Sequence, residues 1–270
     1  MRVIFIACSS ASEARSEAKS SKPSGARTVA SRLPLARCAD RITRRALAAR
    51  APSAYRAAPS TKESLVIKLY GVPTSRASRC IWALEELGVP YELVPVSFSG
   101  DNKKPEYLAI NPNGRVPALD DEGVILFESL AINLHLARKY DGGKGLWPAS
   151  ADDQSRAIQW SLWTANELEP HVIAHLLNSR MLPEPLRDAA KAKLAMEALP
   201  KPLAVLNDAL AGKQHILGGG FTIADLNIAA VLTLGWRMKA FDAAAFPNVA
   251  AWLERVNARE AAVRANAKRS

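Results

Sequence analysis

Asn111-Pro112-Asn113-Gly114-Arg115-Val116-Pro117-Ala118-Leu119-Asp120-Asp121-Glu122-Gly123-Val124-Ile125-Leu126-Phe127-Glu128-Ser129-Leu130-Ala131-Ile132 is the stretch whose reading decides the fold. Asn111 to Gly114 is dense turn chemistry, since proline fixes φ and asparagine or glycine tolerates a positive one. The turn delivers Val116-Pro117 to the mouth of a short strand over 117–119. A proline has no N–H for the ladder and belongs at a strand's first residue or an edge. Asp121-Glu122-Gly123 makes a second turn, and Val124 to Phe127 an apolar strand. Glu128-Ser129 then opens a helix to Tyr140, where unpaired N–H groups and the helix dipole favour an anion.

Working outward, Leu65 to Tyr70 is a β-rich run closed by Gly71-Val72-Pro73. Thr74-Ser75 caps a helix beginning near Arg76, with Cys80, Ile81, Ala83, Leu84 and Leu87 at three-four spacing and Gly88 as its stop. Tyr91 to Val96 is a second strand, so this is a βαβ unit with a right-handed crossover. A short helical piece near 104–109 completes the order β-α-β-α-β-β-α. Asp141 to Pro148 reads as a linker with Leu146 and Trp147 pinned between domains. Beyond it the chain turns to Ala/Leu/Glu/Lys stretches without strand alternation, which predicts an all-α domain. The expected boundaries are an extension over 1–63, an α/β domain over 64–142, a linker over 143–150 and the helical domain over 151–270.

Between Asp152 and Asn178 the residues Ile158, Leu162, Ala165, Val172 and Leu176 form a stripe read as bundle core, with Trp160, Trp163, Glu167 and His171 offset from it. His171 and His175 are four apart but have no third ligand, so no metal is expected. Further on, Thr222 followed three residues later by Asp225 is a capping-box variant, with Phe221 and Leu226 at the staple positions. Losing either cap is expected to cost on the order of 1 kcal/mol or more.

The net charge of +10 suggests nucleic acid until it is located. Residues 1–63 hold 13 Lys/Arg against 4 Asp/Glu, and residues 64–270 hold 23 against 22. The surplus belongs to the extension, and nucleic-acid binding is not expected of the rest. That Arg- and Ser-rich extension fits an organelle transit peptide, a disordered segment or a start codon placed too early. No run approaches the roughly 18 apolar residues of a membrane span. Cys8, Cys38 and Cys80 show neither metal-ligand spacing nor Cys-x-x-Cys, which suits a reducing, cytoplasmic setting, with organelle targeting by 1–63 left open.

The order Val-Pro, hairpin, Glu-Ser, helix resembles the glutathione-binding half of the cytosolic glutathione S-transferases, and Thr222-Ile223-Ala224-Asp225 resembles the start of the buried central helix of their second domain. The resemblance runs from about Leu65 to the C-terminus and is nearest to bacterial and fungal, serine-like members. It implies a thioredoxin-like N-terminal domain followed by an all-α C-terminal domain. It also implies a cis proline, with Val116 and Pro117 pairing with the cysteinyl part of glutathione and Glu128 and Ser129 holding the γ-glutamyl group. Lys104 matches a glycyl-binding lysine, with Lys103 as another nearby cation. Arg115 stands where many classes have glutamine. Trp163 and Glu167 fall on the helix that lines the electrophile pocket.

Such an enzyme needs glutathione as co-substrate and no prosthetic cofactor or metal. Its task is to make a thiolate from a thiol of pKa about 8.5, and a shift of about two units needs only ~2.7 kcal/mol. A helix N-terminus with one hydroxyl hydrogen bond can supply that. Classes differ in using Tyr, Ser or Cys here. Ser75 is the expected catalytic residue, also readable as a simple N-cap. Thr74 is second to it, Arg76 an electrostatic helper, and Tyr70 sits slightly early on its strand. Cys80 lies more than a turn inside the helix and reads as a core contact. The expected activity is conjugation of glutathione to small hydrophobic electrophiles by a homodimer. The rivals are glutathione-dependent peroxide or disulfide reduction, and a non-catalytic binding or dimerisation module.

Overall fold

Ile67 and Leu69 face inward from strand β1 (Ile67–Tyr70) while Lys68 between them faces water, the alternation that one covered sheet face demands. In this computed structural model, which describes residues 66–269, β1 is the second strand of a four-stranded sheet. It pairs in parallel with β2 (Tyr91–Val94) across helix α1 (Ala77–Leu87), and antiparallel with β3 (Ala118–Asp121). β3 pairs with β4 (Val124–Phe127) through the tight turn at Glu122-Gly123, giving the order β2-β1-β3-β4. A short helix α2 (Pro105–Leu108) precedes β3, and α3 (Ser129–Tyr140) follows β4 and packs on α1. This is the expected thioredoxin-like arrangement. The expected extension over 1–63, with Cys8 and Cys38, lies outside the described residues.

Two strand ends differ from expectation, both because of proline. β2 stops at Val94, before Pro95, and β3 starts at Ala118, after Pro117. A residue with no N–H cannot extend either ladder. Helix α1 ends at Gly88, which takes φ +58° and gives its N–H to the Leu84 carbonyl.

α3 is tied to β3 through a buried acid. Asp121 accepts hydrogen bonds from Tyr140 Oη at 2.6 Å, His135 Nε2 at 2.6 Å and Lys139 Nζ at 2.9 Å. Burial alone would push its carboxyl up; the bonds from Tyr140, His135 and Lys139 outweigh that and hold it below the ordinary value. A depressed carboxyl contributes stability above its unfolded pKa of about 3.9 and loses it as pH falls through the lower folded value. The protein should therefore lose stability on acidification below about pH 4. Asp121→Asn should flatten that part of a urea-midpoint-against-pH curve, and an unchanged slope would remove Asp121 from the account.

From residue 151 the described chain is helical. α4 (Ala151–Trp163) begins on Ser150, whose Oγ accepts the Asp153 N–H at 3.1 Å. It runs through a π-helical stretch, Thr164–Leu168, into α5 (Glu169–Leu176). Pro170 explains the irregularity, because it cannot donate to residue 166 and its ring crowds that carbonyl. The buried face is Ala157, Ser161, Thr164, Leu168, Val172 and Leu176. The stripe expected from the sequence is thus corrected. Val172 and Leu176 are core, but Ile158 is 42% and Leu162 58% exposed, and Ala165 also faces water. The π turn adds a residue and rotates the downstream helix by about 100°. Ahead of it the interior is lined by Ser161 and Thr164, whose hydroxyls are satisfied by the Ala157 and Trp160 carbonyls at 2.8 and 2.7 Å.

Helices α6 (Ala189–Ala198), α7 (Pro200–Ala209), α8 (Ile223–Arg237), α9 (Pro247–Asn257) and α10 (Glu260–Ala267) complete the chain. α8 is the centre, covered on nearly every side. It starts with the predicted capping box of Thr222 and Asp225. Its Asn227 joins the halves of the molecule: Asn227 Oδ1 accepts Asn133 Nδ2 of α3 at 2.8 Å, and its own Nδ2 donates to Ser161 at 2.9 Å. The Leu146 side chain is buried and its carbonyl accepts the Ile223 N–H at 2.8 Å. The Asp141 carboxylate holds the same segment by accepting the N–H groups of Gly143, Gly145 and Trp147.

Candidate active site

Val116-Pro117 is a cis peptide, fastened from behind. The Arg115 carbonyl accepts Tyr107 Oη and Asn111 Nδ2, each at 2.6 Å. The Gly114 carbonyl accepts Asn102 Nδ2 at 2.7 Å and Lys103 Nζ at 3.0 Å. The Arg115 side chain remains exposed. Lys104 is also exposed and pairs with Asp101 at 2.7 Å, so Lys103 is the lysine that touches this turn.

Across the hairpin, Ala118 is opposite Phe127, and the next residue, Glu128, takes φ +72°. Few non-glycine residues adopt that region, at a cost of order 1–3 kcal/mol, and such strain collects where function requires a geometry. Glu128 is exposed and its side chain does not cap α3. The leading N–H groups of this 12-residue helix therefore lack a side-chain cap, and an anion there would meet them and the dipole together. Ser129, the first residue of α3, is buried, and its Oγ accepts Arg79 Nη1 at 3.2 Å.

The start of α1 lies beside the cis proline. Gly71 sits between them at φ +147°; a Cβ there would meet Ala77 Cβ at 2.8 Å, Ser75 Oγ at 3.6 Å and Val116 Cβ at 3.6 Å. Only a glycine permits that approach, and it brings the Ser75 hydroxyl and Val116 to the same spot. Ser75 Oγ accepts the Ala77 N–H at 3.1 Å and donates to the Val72 carbonyl at 2.7 Å. It is therefore a cap, and its proton must turn from Val72 before it can reach a sulfur. Thr74 is exposed. The Tyr70 hydroxyl is pushed up by burial and by Asp120 and Glu92, and its ring lies against Tyr107 at 6.3 Å.

Cys80 is fully buried, its thiol facing the Ser129 carbonyl at 3.6 Å, and burial pushes its pKa far up. It is a core residue, as its helix position implied. Trp163 is half-buried, edge-on to Trp160 at 5.0 Å, and Glu167 is exposed. His175 Nδ1 lies 3.3 Å from the Ala192 carbonyl, and among the described residues no cluster of three or more His, Cys, Asp or Glu suits a metal.

Sequence reasoning missed Glu169. Its carboxylate takes Arg79 through both terminal nitrogens at 3.0 Å and Arg76 Nε at 2.6 Å. Burial pushes this carboxyl up, but Arg79 and Arg76 outweigh it and hold it below its ordinary value. A signal existed: Arg76 at the N-cap and Arg79 in the first turn of α1 oppose the helix dipole and call for an acid from elsewhere in the fold.

Residues 65–138 match the family model "Glutathione S-transferase, N-terminal domain", and residues 170–260 match "Glutathione S-transferase, C-terminal domain". The chain belongs to the glutathione S-transferase family. It is 39% identical over 207 residues to glutathione S-transferase 3 of Zea mays, covering 72% of this chain and 90% of that one. It is 34% identical over 216 residues to glutathione S-transferase hmp2 of Hypomyces subiculosus, covering 76% and 99%. Among solved structures, the theta class enzyme of Xanthomonas axonopodis pv. citri with glutathione bound superposes with a TM-score of 0.67 at 28% identity, covering 74% and 96%.

Proposed function

We propose that this protein is a glutathione transferase of the serine-using kind, which adds the glutathione thiolate to small hydrophobic electrophiles. The observation that carries the reading is the joint position of the cis Val116-Pro117 peptide, the Ser75 hydroxyl across Gly71, and the uncapped start of α3 behind Glu128. The backbone of Val116 pairs with the cysteinyl unit. Glu128 takes the γ-glutamyl amine, and Ser129 with the α3 N-terminus takes its carboxylate. Arg115 and Lys104, exposed at the rim, attract the glycyl carboxylate, with Lys103 nearer the turn. The thiol then lies at the start of α1, where the helix dipole and the Ser75 proton favour its anion. The thiolate attacks the electrophile's carbon and the leaving group departs with its electron pair.

Trp163 and Glu167 are proposed to border the electrophile. The rod that carries them brings Glu169 to the first turn of α1, which supports that placement. The exposed Ile158 and Leu162 fit a face covered in a homodimer, which sedimentation would test. A cytoplasmic site of action fits the sparse cysteines, and among the described residues no helix is long and apolar enough to cross a membrane. The domain limits at 64–142 and 151–270 are proposed as the units of this architecture. With Cys80 walled in, thiol–disulfide exchange through that cysteine has no support. The test is calorimetry with glutathione and a conjugation assay with an aryl halide. Binding below millimolar concentration with measurable conjugation is expected, and no binding at millimolar glutathione would leave only a scaffold.

A further inference from the structure

The start of α1 meets the ends of two other helices. Ser78 and Arg79 of α1, Thr233 near the end of α8, and Asn266 and Arg269 at the end of α10 line one cleft, with Trp82 on its wall. Arg269 Nη1 donates to Ser78 Oγ at 3.0 Å, and Ser78 Oγ donates to the Ser75 carbonyl at 2.9 Å. One hydroxyl therefore links the Arg269 guanidinium to the backbone of the residue that faces the sulfur. Arg237, the last residue of α8, is exposed and lies four residues beyond Thr233, one turn further along the same helix face.

These cations are not matched by acids. Arg259, Arg264 and Lys268, in and beside α10, each pair with Glu85 or Glu86. Arg79 shares Glu169 with Arg76. Among the described residues Arg237 and Arg269 form no ion pair, although Arg269 is half-buried and uses only one guanidinium N–H donor, on Ser78. Burial, then the charges of Arg237 and Arg79, pull the Arg269 pKa below the usual arginine value. Residues 64–270 hold 23 Lys/Arg against 22 Asp/Glu, so a surplus at this junction is local and not a property of the whole surface. The C-terminal ends of α8 and α10 each favour a cation, which makes the two arginines tolerable there without giving either a partner. A guanidinium with donors to spare grips a carboxylate with two parallel hydrogen bonds.

We propose that Arg269 and Arg237 bind a carboxylate carried by the electrophile, so that the preferred acceptors are small aromatic acids and not neutral hydrophobes. This rests on the transferase reading above and narrows its substrate class. The two carboxylates of glutathione have places in the α/β domain, at the start of α3 and at the turn held by Lys103, whereas this cleft draws both arginines from the helical domain. In the reaction the thiol proton has gone to solvent. The sulfur forms a bond to the ring carbon that bears the halogen, the carbon–halogen bond breaks, and halide leaves with its electron pair. The acceptor's carboxylate keeps its charge throughout and serves only to hold the ring.

The test is steady-state conjugation by the full chain with two acceptors, 4-chloro-3,5-dinitrobenzoate and its carboxamide, alike in shape and different in charge. The wild-type protein should show the lower KM with the carboxylate. Arg269→Gln should lower kcat/KM for the carboxylate about tenfold, the scale of one charged hydrogen bond, and through KM more than kcat. The carboxamide should change less than about twofold, as should the KM for glutathione measured with it. Arg269→Lys should recover part of the loss on the carboxylate. Arg237→Gln, at an exposed position, should act in the same direction and serves alone should Arg269→Gln fold poorly. Equal losses on both acceptors, or unchanged carboxylate kinetics in folded variants, would overturn the anion site and leave the transferase reading intact. A raised KM for glutathione alone would overturn it as well, by assigning the arginines to the peptide. A wild-type protein that conjugates neither acceptor would overturn both.

Discussion

Ser75→Ala is expected to lower kcat/KM for an aryl halide about twentyfold at neutral pH, because the bound thiol then titrates about two units higher, near the roughly 8.5 of a free thiol. The sign is set by what the hydroxyl does. A proton donated to the sulfur stabilises the thiolate and not the thiol, so removing it raises the thiol pKa and depletes the reactive form at pH 7. The rising limb of the pH–rate profile should move to higher pH, and the deficit should shrink once pH exceeds the new value. Ser75 is also a cap, accepting the Ala77 N–H at 3.1 Å, so the variant should lose about 1 kcal/mol of stability as well. The two effects separate cleanly, since loss of the cap alone leaves the pH profile where it was. Thr74→Ala, at an exposed position, should change the rate by less than about threefold. A Ser75→Ala enzyme with an unmoved pH profile would return Ser75 to the role of a cap.

The largest loss of stability is expected from Asp225→Ala, about 3–5 kcal/mol by urea unfolding. The capping box alone would account for about 1 kcal/mol. The structure adds two partners that lie far off in sequence. Asp225 Oδ2 accepts the N–H and the hydroxyl of Thr222, both at 3.1 Å, while Oδ1 accepts the Ile216 N–H at 2.8 Å and Trp252 Nε1 at 3.0 Å. The carboxylate is fully buried, so its removal strands four donors away from water. Thr222→Ala should cost far less, about 1–2 kcal/mol, since it leaves the other three donors paired. Equal losses in the two variants would mean that the long-range partners contribute nothing.

The sequence by itself determined the local units, because turn and cap chemistry act over a few residues. Gly88 ended α1, Glu128-Ser129 opened α3, and Thr222 with Asp225 opened α8, all where residue type alone placed them. The order of strands came from the same punctuation, and Val116-Pro117 stood out through its resemblance to a known family. Periodicity failed on the long helix because Pro170 forces a π turn that shifts phase, and because hydroxyls bonded back to their own helix line its interior ahead of that turn. Only the tertiary structure brought Glu169 to Arg79, 90 residues away, and joined Asp225 to Trp252. Two arginines at a helix start call for an acid, but which acid answers them is decided only when separate helices dock.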